Sequence, residues 1–265
     1  FGLVSAGAVV LTAELRGWQL ALQDSAVALA LLLVVSVVAG GEPLAVFLGA
    51  SLSWGLALAL GSLTGMYRSL ILPVQLLLLA GVAGVLLFHA SVGDTTAFWE
   101  RSLSLFAEEL AAMGIELGQP DALAVLAPTM TGAVAASAVL ASLLALVLGA
   151  WWAGAAGGPR FGEMFVGLRL GRIVGGLTAV LGVASFAGLG SLPADLLLVV
   201  AMGFAAQGLA VIHWQARARE WPRAILVLVY LPLLLGTSVF ALGWFAFAAL
   251  GFVDNWYSLR RRVVM

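Results

Sequence analysis

The chain has 265 residues, 63% of them hydrophobic and 9% charged, with a formal net charge of −1 and a mean hydropathy of +1.13. Soluble domains carry about a quarter charged residues, so this composition excludes one, and the charge balance gives no reason to expect a nucleic-acid partner. The chain has no cysteine, which excludes disulfides, thiolate nucleophiles and thiolate metal sites.

Unbroken apolar runs such as LALLLVVSVVAG and ILPVQLLLLAGVAGVLLFH approach the roughly 20 residues that a membrane-crossing helix needs. They lack the alternation over about ten residues that marks a transmembrane barrel. The expected fold class is an all-α, polytopic transmembrane helix bundle of about seven to eight spans, forming a single integral membrane domain over residues 1–265. In chain order the runs lie at 1–13, 20–40, 43–60, 69–89, 127–150, 173–190, 194–213 and 224–253. The first opens at Phe1 without an initiator methionine or a charged leader, and is expected to be the tail of a longer helix whose start is missing.

Every basic residue is arginine, and the arginines set an orientation. If the connection 14–19 is cytoplasmic, alternation puts Arg16, Arg68, Arg160, Arg169, Arg172, Arg217, Arg219 and Arg223 inside, leaving Arg101 outside. Segment 224–253 strains the scheme. As one helix it would measure about 45 Å at 1.5 Å per residue, and it would carry Arg260, Arg261 and Arg262 to the outer side. A hairpin turning near Gly236, helped by Pro232, would return them. Trp18, Trp99, Trp151, Trp152, Trp214, Trp221 and Trp256 fall at span ends or in connections, where aromatic belts form.

The long connection at 94–116 has Trp99, Leu103, Phe106, Leu110 and Met113 at helical spacing, with Asp94 placed as an N-cap. It predicts an outer amphipathic helix, a lid on the bundle or a substrate contact, with Glu100, Glu108 and Glu109 turned away. A second short amphipathic element is expected at 157–172, GGPRFGEMFVGLRLGR. Pro159 fits a first helical position. Phe161, Met164, Phe165 and Leu168 share a face, and the arginines suit an in-plane helix beside anionic headgroups. The stretch lacks the glycine spacing and terminal Gly-Lys-Ser/Thr of a phosphate loop.

No charge falls at mid-depth of a span: Glu14, Asp24, Glu42, Asp195 and Asp254 all lie near boundaries. Intramembrane charge is costly and usually functional, so its absence argues against a proton- or sodium-coupled carrier. His89 and His213 end spans on opposite sides and read as interfacial polar residues; no metal site or cofactor is expected. Of the polar residues within spans, Gln75, Thr129, Thr131, Gln207, Thr237 and Ser238 either bond between helices or line a small-molecule cavity, and Gln75, Gln207, Thr129 and Thr131 are the candidate ligand-binding set. Small residues at Ala133, Ser137, Ala141, Ala145 and Gly149, and the GxxxG pairs Gly61/Gly65 and Gly171/Gly175, predict close helix packing, or docking of a partner subunit. With them, Arg160, Glu163, Arg169 and Arg172 are candidate partner or lipid contacts.

The run APTMTGAVAASAVLASLLALVLGAWWAGAAGGPRFGEMFVGLRLGR, with GLAVIHW at 208–214 and LGFVDNWYSLRRR at 250–262, resembles the YybS-like bacterial membrane proteins, a family of unknown function. The likeness covers most of the chain, is strongest from 125 to 262, and rests on the order and spacing of short apolar motifs. That family is similar at fold level to the S components of energy-coupling-factor vitamin transporters. The resemblance implies a multi-pass protein of the bacterial cytoplasmic (inner) membrane, and carries over no catalytic residue and no vitamin-binding motif. The expected function is a small-molecule-binding or transport-related subunit without its own ion coupling, in contact with the lipid bilayer, its ligand unknown. The alternative is a non-enzymatic accessory or scaffold subunit of a larger membrane complex. An intramembrane enzyme would require Asp254, Asn255, His213 or Glu163 to converge.

Overall fold

The computed structural model describes residues 2–115, 125–231 and 237–260, and every regular element among them is helical. The helices are α1 Gly2–Arg16, α2 Trp18–Val38, α3 Pro43–Tyr67, α4 Ile71–Val92 and α5 Thr95–Ala112. After a 3-10 turn at Ala127–Thr129 come α6 Met130–Ala155, α7 Phe161–Val166, α8 Arg172–Phe186, α9 Ser191–Ala218, α10 Arg223–Tyr230 and α11 Thr237–Tyr257. Five are long and apolar enough to cross a membrane: Trp18–Val38, Pro43–Tyr67, Ile71–Val92, Ala127–Ala155 and Ser191–Ala218. Many of their leucines and valines are uncovered by protein, which suits lipid contact. The sequence count of seven to eight spans also takes in the shorter apolar helices α1 and α8 and the C-terminal segment.

Local chemistry accounts for the helix ends. Asp94 caps α5, its carboxylate accepting from the Ala97 N–H at 3.0 Å. Pro43 opens α3, where its missing N–H costs nothing. Pro159 does not play that part in α7: Arg160 is the N-cap, in extended backbone, and the helix starts at Phe161. Gly171 is not a packing glycine either. It precedes α8 at φ +89°, while Gly175 is buried.

The chain divides into two compact units, one of Phe1–Leu77, Leu140–Leu170 and Gly203–Met265, the other of Leu78–Val139 and Gly171–Met202. In the first, α1, α2 and α3 pack mutually. A Cβ on Gly61 would stand 2.6 Å from the Val10 carbonyl oxygen, and one on Gly65 2.7 Å from that of Glu14. This GxxxG pair therefore seats α3 directly on the α1 backbone. The lower part of the α6 stripe does the same: Ala145 and Gly149 are buried, and a Cβ on Gly149 would lie 2.5 Å from the Gly7 carbonyl. Ser137 and Ala141 are exposed, so the stripe is not one continuous packing face.

Segment 224–253 is two helices, α10 and α11, with Pro232 and Gly236 outside the described residues. Tyr230 meets His213, so α10 turns back along α9. A methyl on Gly251 would collide with the Phe204 carbonyl, while Gln215 donates to the Leu259 carbonyl at 3.3 Å. Those two contacts make α11 run parallel to α9, which rules out the single 45 Å helix. The ends of α9 and α11 lie together, beside the 157–170 connection.

In the second unit, Gly81 brings α4 against Val139 and Val199. Trp99 anchors α5 by donating to the Thr131 hydroxyl at 2.8 Å, in a cluster with Phe88 and Phe98. The predicted α5 face holds at Trp99, Leu103 and Leu110, but Phe106 and Met113 are 54% and 66% exposed. The charged side is as expected, with Glu100, Glu108 and Glu109 all exposed.

Candidate functional site

Within the first unit, the faces of α6 and α9 leave a cavity of about 630 Å³, inside the range of about 300–1,000 Å³ usual for small-molecule sites. Leu140, Leu143, Leu144 and Val147 give its wall on α6, at the spacing of one helical face. Ala206, Leu209, His213 and Arg217 repeat that geometry on α9. The wall is completed by Tyr230 of α10, Trp244 of α11 and Trp151 of α6.

One end of the cavity is polar. There His213 Nε2 lies 2.7 Å from the Tyr230 hydroxyl, and its ring meets Phe165 edge-on at 5.5 Å. Arg160 and Arg217 bring two guanidiniums to the same end. Arg160 is paired with Glu163 at 3.1 Å, whereas Arg217 has no carboxylate partner among the described residues. Arg217 lies so close over Gly162 that any side chain at 162 would collide with its guanidinium. Among the described residues, no aspartate or glutamate lines the cavity.

Behind this end, at the last residue of α7 and the connection that follows it, a buried polar network fixes the backbone. Gln75 donates to the Leu170 carbonyl at 2.9 Å, while the Gln207 side-chain carbonyl accepts the Leu170 N–H at 2.9 Å. The Gln207 amide also donates to the Gly251 carbonyl, to Asp254 and to Asn255, at 3.0, 2.9 and 3.2 Å. Arg260 closes the set, donating to the Val166 and Leu168 carbonyls at 2.6 and 2.7 Å and pairing with Asp254 at 2.6 Å. Asp254 is fully buried and Arg260 nearly so, with Arg169 a further 3.6 Å neighbour of the carboxylate. A buried charge is tolerable on these terms, paired and hydrogen-bonded at once.

The second unit has its own buried carboxylate. Asp195 accepts the Gly132 N–H at 2.9 Å and lies 2.8 Å from His89 Nε2. A methyl on Gly132 would touch the Asp195 backbone, so the glycine admits the aspartate.

The four candidate ligand residues thus fall in different places. Gln75 and Gln207 are brought together on one residue, Leu170, outside the cavity, with the Gln207 amide consumed by protein groups. Thr129 donates to the Leu126 carbonyl, and Thr131 receives Trp99. Neither Thr129 nor Thr131 lines the cavity. The side chains of Thr237 and Ser238 lie outside the described residues. Among the candidate contacts, Arg160 lines the cavity end, Glu163 pairs with it on the surface, Arg169 joins the Asp254 group, and Arg172 is exposed at the start of α8. The amphipathic face of α7 is covered by protein, since Met164 and Phe165 are buried, as is Leu168 just beyond it. Asp254 and Asn255 meet at Gln207, but His213 and Glu163 have other partners.

In the sequence Arg217 serves only as a topology marker, and Tyr230 and Trp244 carry no assigned role. A usable signal is present in the α9 run, where Ala206, Leu209, His213 and Arg217 share a stripe ending in two polar residues. No protein-family model, no curated protein and no solved structure matches the chain.

Proposed function

We propose that the protein is a small-molecule-binding, transport-related membrane subunit without ion coupling of its own. The observation that carries this reading is the 630 Å³ cavity, apolar along its body and polar at one end. The likeness to YybS-like proteins, and through them to S components, belongs to the same proposal. So do the bacterial inner membrane and a cytoplasmic position for the arginine-rich end.

The test is native mass spectrometry of the full chain extracted with its surrounding lipid, compared with Ala206→Phe, which obstructs the cavity from α9. The expected result is a stoichiometric small molecule on the unaltered protein that is lost from the variant. An empty cavity together with a stoichiometric partner protein would overturn the reading in favour of an accessory subunit.

A further inference from the structure

Resting on that cavity reading, we infer that the ligand is an amphiphile drawn from the membrane, with a single anionic head held by Arg217 and an apolar tail lying between α6 and α9. Charge complementarity argues for the head. The polar end presents Arg160 and Arg217 with the His213–Tyr230 pair, and no lining carboxylate opposes them among the described residues. Glu163 already answers Arg160, which leaves Arg217 as the cation without an anion among the described residues. A guanidinium grips carboxylate or phosphate oxygens through paired N–H donors, and charge-assisted bonds of this kind are the strong ones.

The position and length of the apolar part argue for the tail. Ala206 and Arg217 are eleven residues apart on α9, about 16 Å at 1.5 Å per residue. Over that length the lining passes from leucine, valine and alanine to arginine, as an amphiphile passes from chain to head. Trp214 and Trp221 flank Arg217 in sequence, marking the depth at which headgroups lie. A free inorganic anion would leave the leucine-lined part empty, and a neutral lipid would leave the exposed Arg217 to solvent alone.

Gly162 is part of this device. Its missing side chain lets the Arg217 guanidinium settle at the cavity end, so the glycine is a positioning residue for the head.

The experiment is a titration of the full chain in lipid nanodiscs with dodecyl phosphate, dodecanol and inorganic phosphate, read by tryptophan emission, since Trp151 and Trp244 line the cavity. Expected are saturable binding of dodecyl phosphate, binding of dodecanol at least about tenfold weaker, and none of inorganic phosphate alone. Arg217→Gln should weaken dodecyl phosphate about tenfold or more, equivalent to about 1.4 kcal/mol, and leave dodecanol unchanged. Gly162→Val should copy the loss by displacing the guanidinium. Equal binding of the phosphate and the alcohol, both abolished by Ala206→Phe, would overturn the anionic head while leaving the cavity reading intact. Binding that survives Ala206→Phe, or no saturable binding of either chain, would overturn the amphiphile and the cavity reading together.

Discussion

Leu170 gives its carbonyl to one glutamine and its N–H to another, and the second glutamine belongs to a group that ends in a buried ion pair. The two glutamines stand out in the sequence as polar residues inside apolar runs, with helix bonding and cavity lining both open. Their separation from Leu170, 95 residues for Gln75 and 37 for Gln207, is why the sequence does not show the pairing. Helical period reports which face a residue takes and nothing about which distant backbone it meets. Removing one member should be costly, because a buried charge without its partner is destabilising by about 3–5 kcal/mol. Arg260→Ala should lose that much in equilibrium unfolding in mixed micelles, and Asp254→Asn combined with it should lose clearly less than the sum of the two single changes. Additive losses would mean that the pair is not a unit.

At the scale of helices, close approach depends on glycine. On α9 and α11, methyls at Gly208 and Gly251 would collide with the carbonyls of Phe247 and Phe204. At Gly84 of α4 a methyl would meet nothing within 4 Å. Gly208→Ala should therefore destabilise by about 1–3 kcal/mol through forced separation of the helices. Gly84→Ala should be neutral or stabilise by about 0.5–1 kcal/mol through helix propensity. Thermal unfolding of the two variants side by side checks this, and equal effects would refute the packing argument. The Gly61/Gly65 pair is legible in sequence, because two glycines four apart in an apolar helix expose a strip of backbone. Gly171/Gly175 has the same spacing and a different use, since its first member stands at a helix start with positive φ. Spacing alone does not distinguish an interior glycine from a terminal one.

For the whole molecule, one end of the first unit collects the end of α1 at Leu15 against Gly158, the start of α4 at Gln75, the 157–170 connection, Arg217 and the end of α11 at Arg260. The alternation of arginines predicts that meeting for all but the last, and the return of α11 adds it. Charge counting fixes the side of each connection but cannot say whether a 30-residue apolar run crosses once or turns back, since both are equally apolar. The chain's lack of cysteine makes the point testable. Single cysteines at Glu163, Arg219 and Tyr257 should react alike with a membrane-impermeant maleimide in sealed vesicles. One at Glu100, which the arginine count puts outside, should react from the other side. A Tyr257 cysteine behaving like the Glu100 cysteine would refute the turn.

The Arg260 clamp also sets an order of events in synthesis. Its partners Val166 and Leu168 emerge from the ribosome more than ninety residues earlier, and domains made from the N-terminus onward settle what they can as they appear. The carbonyl of Val166, which lines the cavity end, and that of Leu168 gain their guanidinium only once Arg260 has been made. A chain that stops short of Arg260 keeps its apolar helices and leaves the buried Asp254 with the more distant Arg169 as its cation. The arrival of Arg260 is thus registered at the end of α7, beside the place where the ligand would sit.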